Sequence, residues 1–147
     1  MKELGETFGA ISGSITTIGT IIGLYAGKVN KIPIIIALIS VALSDSFSDA
    51  LAIYYGSYNT EDALEHGFDT FKSKFLMPIV MIIPFLFLSI KNAVIVDLII
   101  ASIMITRTIN SIVKTKKELA INLTLVIITI SIIFGTGRLI SFIGNNV

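Results

Sequence analysis

The stretch from Ile34 to Tyr55 is apolar over a length that crosses a bilayer, which takes roughly 20 residues. Four more apolar runs stand beside it, at about Phe8–Ala26, Phe75–Ile90, Ala93–Val113 and Leu119–Ile143. The third is short for a span. Runs of this length separated by short polar breaks predict an all-α integral membrane protein with five transmembrane helices, in one domain covering 1–147. Composition agrees. Hydrophobic residues make up 54% and charged residues 14%, whereas about a quarter of a soluble domain is charged. The first run follows Met1–Glu6 almost directly and is as long as a span, so it reads as a helix of the protein and not as a cleavable signal.

Two aspartates, Asp45 and Asp49, interrupt the second run near its middle. An ionised carboxylate at that depth costs roughly 3 kcal/mol or more. Spaced four apart, the two share one helical face. A helical wheel adds Ser48 and Ala52 to that face, and Ser40, Ser44 and Ser46 interleave nearby. The polar members are all oxygen donors, which suit hard divalent cations such as Mg²⁺, Mn²⁺ and Ca²⁺ and are tolerated by Fe²⁺. The pair therefore reads as an ion or proton site inside the membrane. The plainer alternative is a pair of structural carboxylates bonded to hydroxyls on neighbouring helices.

Several functional classes drop out. Cysteine is absent and His66 is the single histidine, which excludes thiolate metal sites, disulfides and a histidine cage within one chain. A net charge of +1, with no basic cluster interleaved with aromatics, gives no sign of nucleic-acid binding. No nucleophile–base pair or phosphate loop suggests an enzyme, and no resident cofactor is expected. The polar stretch Ser57–Lys74 reads as an acidic cytoplasmic loop. There Asn59 or Thr60 caps a short helix whose first turn holds Glu61 and Asp62. Glu61, Glu65 and Asp69 then share a face with His66 beside them, either as a solvated helix or as a secondary metal-collecting loop.

Lysine positions orient the chain. With the amino terminus cytoplasmic, Lys2, Lys72, Lys74, Lys114, Lys116 and Lys117 lie inside, and Lys28, Lys31 and Lys91 outside. The carboxyl terminus is then external. Asp97, near the start of the fourth span, and Arg138, near the end of the fifth, come to the same side and are expected to form a structural ion pair. Arg107 snorkels at the inner end of the fourth. Glycines at four-residue spacing, Gly5, Gly9 and Gly13, then Gly19, Gly23 and Gly27, give the first helix a flat packing stripe. Ser12, Ser14, Thr16 and Thr17 add hydroxyls along it. Pro33 fits the first turn of the second helix. In the third, Pro78 falls near the first turn and Pro84 mid-segment, where it loosens the helix. Met77 and Met81 read as packing residues, with soft metal ligation as the alternative.

The order of these motifs resembles the vacuolar iron transporter family of five-helix divalent-metal/proton exchangers. Gly9-Ala10-Ile11-Ser12-Gly13-Ser14-Ile15-Thr16-Thr17 is similar to that family's GxxDGxxT start. Ser44-Asp45-Ser46-Phe47-Ser48-Asp49-Ala50-Leu51-Ala52-Ile53-Tyr54 is similar to its ADALSMAxGEY stretch, and Pro84 and Pro78 resemble prolines of its third helix. The departures are definite. The family's first-helix aspartate falls on Ser12, its second-helix methionine on Asp49 and its second-helix glutamate on Ile53. Its large cytoplasmic metal-binding insert corresponds only to Ser57–Lys74. The resemblance implies transport of a divalent metal of the iron and manganese class by exchange with protons, in a homodimer packed through the glycine stripe. Asp45 and Asp49 would hold the ion with help from Ser12, Thr16 and Ser48, and loss of the thioether would favour harder ions. The competing reading is a non-transporting membrane scaffold or assembly subunit with structural buried aspartates.

Overall fold

A computed structural model of the chain describes residues 3–112 and 115–144. It consists of five helices in sequence: α1 (Glu3–Ala26), α2 (Lys31–Gly56), α3 (Ala63–Phe87), α4 (Ile90–Ile112) and α5 (Lys116–Gly144). All five are long and apolar enough to cross a membrane. The protein is thus an all-α, multi-pass membrane bundle, as the apolar runs predict. Short connections join α1 to α2, α2 to α3 and α3 to α4. α1 is the central element and packs against all four others.

Two boundaries differ instructively from the sequence reading. α3 begins at Ala63, not Phe75. Its first three turns are polar on the side that faces the bundle, so no apolar run marks them. The buried residues His66, Thr70, Lys74, Met77, Met81 and Phe85 nevertheless follow one helical face from end to end. This places Pro78, expected near the first turn, in mid-helix, and Pro84, expected in mid-segment, in the last turn. Lys91 and Asn92 lie in the first turn of α4, and the break falls at Leu88–Ser89. At the start of α5, Glu118 N–H donates to Thr115 Oγ1 at 3.2 Å and Thr115 N–H donates to Glu118 Oε2 at 3.3 Å. This reciprocal capping box satisfies donors that the helix leaves free. The expected inside charges Lys2 and Lys114 lie outside the described residues.

The glycine stripe of α1 is consumed within the chain. An added Cβ at Gly9 would lie 2.5 Å from Ser73 Oγ and 2.6 Å from the Thr70 carbonyl oxygen. One at Gly13 would lie 3.1 Å from Lys74 Cα. Gly5, Gly9 and Gly13 thus let the α3 backbone sit directly on α1. Further along, Gly23 meets Gly137 of α5, where an added Cβ would fall 2.8 Å from the Gly23 carbonyl oxygen. The stripe is therefore a contact between helices of one chain, and the expected dimer face on α1 is already covered. Ile18, Ile21, Ile34, Leu38, Met81 and Phe85 close the core on the other side of the same crossing.

Candidate functional site

The close α1–α3 crossing sets the position of one side chain, Lys74. Its stem lies against Gly13, where an added Cβ would approach Lys74 Cγ to 3.2 Å. The residue is 2% exposed. Its ammonium reaches across to α2 and sits between the two carboxylates, 2.8 Å from Asp45 Oδ2 and in direct contact with Asp49 Oδ2. The Asp45 contact is an ion pair whose angle falls outside hydrogen-bonding geometry. Lys74 Nζ also donates to Ser12 Oγ at 3.0 Å, and Ser12 Oγ donates to Asp49 Oδ2 at 3.2 Å. Three helices thus converge on one ammonium: α1 through Ser12, α2 through Asp45 and Asp49, and α3 through Lys74.

Charge balance explains why two aspartates persist on one face. Unpaired, they would repel each other and would each be costly to keep out of water. One ammonium between them removes most of that penalty and leaves the group with a single net negative charge. The aspartate side chains retain 29% and 22% exposure, whereas that of Lys74 retains 3%. The residual exposure thus lies on the aspartate side chains, while the cation is enclosed and Asp45 Oδ2 itself is covered. A further oxygen is nearby. Pro78 has no N–H, so the carbonyl of Lys74 lacks its usual helical donor. That carbonyl faces Gly13, 3.2 Å from where a Cβ would stand.

The sequence places Asp45, Asp49 and Ser12 in one site, and the structure does so too. Thr16 and Ser48 do not join it. Ser48 is exposed, and Thr16 is half-buried, with its carbonyl accepting from Thr20 Oγ1 at 2.9 Å. Of the other α2 serines, Ser40 and Ser44 donate to carbonyls one turn back, a common way for hydroxyls to be satisfied in lipid, whereas Ser46 Oγ is buried without a partner among the described residues. Lys74 itself is the residue that sequence reasoning missed. It reads as a cytoplasmic loop charge because it precedes the apolar part of α3. The available signal is its four-residue register with His66 and Thr70, which continues into Met77 and Met81.

The expected metal-collecting loop is not assembled. Glu61 and Asp62 precede α3 and are exposed, Glu65 is exposed on the helix, and His66 is buried toward α1. Asp69 turns to Lys72, with 3.7 Å between charged atoms. The polypeptide between α2 and α3 is too short to fold these groups onto one point. Among the described residues, no cluster of three or more His, Asp or Glu side chains is placed to hold a metal ion. The expected Asp97–Arg138 pair does not form either. Asp97 is fully buried on the core face of α4 with Ala93, Val94 and Ala101, and neither carboxylate oxygen has a partner among the described residues. Arg138 instead lines a cavity near the α1–α2 and α3–α4 turns with Lys28 and Lys91. Met77 and Met81 are buried packing residues.

No protein-family model, curated protein or solved structure matches the chain. The likeness to vacuolar iron transporters thus rests on the short motifs of α1 and α2 alone.

Proposed function

We propose that this protein is a membrane transporter of divalent cations of the iron and manganese class, exchanging them for protons at Asp45 and Asp49. The observation that supports this reading is the ammonium of Lys74 between the two carboxylates. A site that holds an organic cation between converging oxygens is already shaped and charged for cation binding. Lys74 then acts as the resident competitor. An incoming ion takes the anionic oxygens of Asp45 and Asp49 together with Ser12 Oγ, and Lys74 gives up its place by swinging away or by releasing its proton. Metal and proton exclude each other because both need the same negative charge. Coupling then needs no separate device. On the lysine balance the amino terminus is cytoplasmic and the carboxyl terminus external. Removing buried Lys74 from that balance narrows it without reversing it.

In proteoliposomes, Asp49→Asn is expected to reduce Fe²⁺ or Mn²⁺ flux at least about tenfold, since even outer partners of a metal ligand are worth about that much. Wild-type flux is expected to follow an imposed pH gradient. Full flux in Asp49→Asn would remove the proposed site.

The scaffold reading draws on the same lysine. A carboxylate pair that shares an ammonium within the chain can serve simply to fix how α1, α2 and α3 pack. Under that reading the wild type carries no ion, whether Fe²⁺, Mn²⁺, Co²⁺, Ca²⁺ or Mg²⁺, and Asp49→Asn lowers stability alone.

A further inference from the structure

At the opposite end of the bundle from the α2–α3 turn, three cations from three separate segments surround one cavity of about 550 Å³. Lys28 comes from the α1–α2 turn, Lys91 from the first turn of α4 and Arg138 from the last third of α5. Tyr25 and Asn30 add neutral donors, and Phe134 forms an apolar wall. No aspartate or glutamate is among the described residues lining it. Like charges brought together without a carboxylate repel one another. In a folded protein such a group is stable when an anion joins it.

The backbone supplies a second, independent observation. α1 ends in a motif in which Val29 N–H donates to the Leu24 carbonyl and Lys28 N–H to the Tyr25 carbonyl, both at 3.0 Å. In this motif the residue after the helix is left-handed and is usually glycine. Here that residue is Lys28, at φ 58°, the one non-glycine residue with positive φ among those described. The neighbouring Gly27 does not take the position. A bulky side chain in this conformation is unfavourable, and a held outlier of this kind points toward function. The chain accepts strain at one of the three cations that line the cavity.

We propose that Lys28, Lys91 and Arg138 form a binding site for a phosphate group. Arg138 supplies a planar fork that can take two phosphate oxygens, and the lysines act as point charges. The phosphate has two sources, the headgroup of an anionic phospholipid or free phosphate in solution. Basic pockets between transmembrane helices suit headgroups, and Phe134 gives the same cavity an apolar lining that an acyl chain could contact. The site is separate from the carboxylates of α2, and its test does not depend on transport.

The test uses the purified full chain in detergent, titrated with short-chain phosphatidylglycerol and, separately, with inorganic phosphate. Native mass spectrometry and thermal unfolding are the readouts. Lys91→Gln and Arg138→Gln, both at exposed positions, are expected to melt as the wild type does without probe and to bind about tenfold more weakly, as expected for losing a charge-assisted contact. Lys28→Gly removes the strain and the charge together. It is expected to melt at a higher temperature than the wild type without probe and still to bind more weakly, so its loss of binding cannot be blamed on misfolding. Binding of phosphatidylglycerol alone assigns a lipid headgroup, and binding of both probes assigns free phosphate as a ligand. Binding of neither, or equal binding by the wild type and all three variants, overturns the proposal.

Discussion

Lys74→Met is expected to destabilise the protein by about 3 kcal/mol, the scale found when one partner of a buried ion pair is removed. Asp45 and Asp49 would then face each other across one helical turn with Ser12 as the only remaining donor of the present group. The methionine stem would still fill the space against Gly13, so the loss reports charge and not packing. The triple variant Asp45→Asn, Asp49→Asn, Lys74→Met is expected to regain most of the lost stability. It leaves no charge of this group without a partner, and neutral replacement of whole ion groups is often tolerated. Unfolding of the purified variants in detergent measures both. A Lys74→Met protein as stable as the wild type would mean that the ammonium does not hold the three helices together. The same variant separates the two readings of function. As an exchanger, Lys74→Met should still move metal and still respond to a pH gradient, because Asp45 and Asp49, the groups for which metal and proton compete, both remain. As a scaffold, it should move no ion and simply be less stable.

This consequence was only half legible in the sequence. Asp45 and Asp49 announce themselves because a carboxylate in an apolar run has no other ready explanation. Their partner is hidden, because Lys74 belongs to a stretch with Asp69, Lys72 and His66 that breaks the apolar pattern. A helix that buries polar groups against polar groups gives no hydropathy signal at its boundary. The apolar pattern therefore puts the start of α3 too late and makes Lys74 a loop charge. The loop acids fail for the opposite reason. Their spacing suggests a shared helical face, but the turn after Gly56 leaves Glu61 and Asp62 outside the helix. Asp97 and Arg138 lie on the same half of the bundle, as topology demands, yet topology does not fix the faces they occupy. Asp97 turns into the core and Arg138 to the cavity of cations. The glycines of α1 were correctly read as a packing stripe. Glycine spacing shows that a backbone approaches closely but does not say whose backbone it is.

That last ambiguity gives a decisive measurement at Gly9. Gly9→Ala is expected to cost about 3 kcal/mol, at the upper end of what overpacking a close-fitted site costs. The new Cβ would stand 2.6 Å from the Thr70 carbonyl oxygen and 3.2 Å from the Lys74 backbone nitrogen. Backbone atoms cannot turn aside as the end of a long side chain can, so α3 has to shift away from α1. Any such shift draws Lys74 off Asp49, because the ammonium is positioned by the same crossing. Gly135→Ala is the control. Nothing lies within 4 Å of an added Cβ there, and the substitution is expected to be neutral or to stabilise by up to about 1 kcal/mol through lost freedom in the unfolded chain. If α1 were instead a face between two copies of the chain, Gly9→Ala would shift the proportion of dimer and leave the unfolding of each copy unchanged. Unfolding and mass measurements on one sample decide between these outcomes. Stability lost at constant mass means that the stripe exists to bring Lys74 to the aspartates.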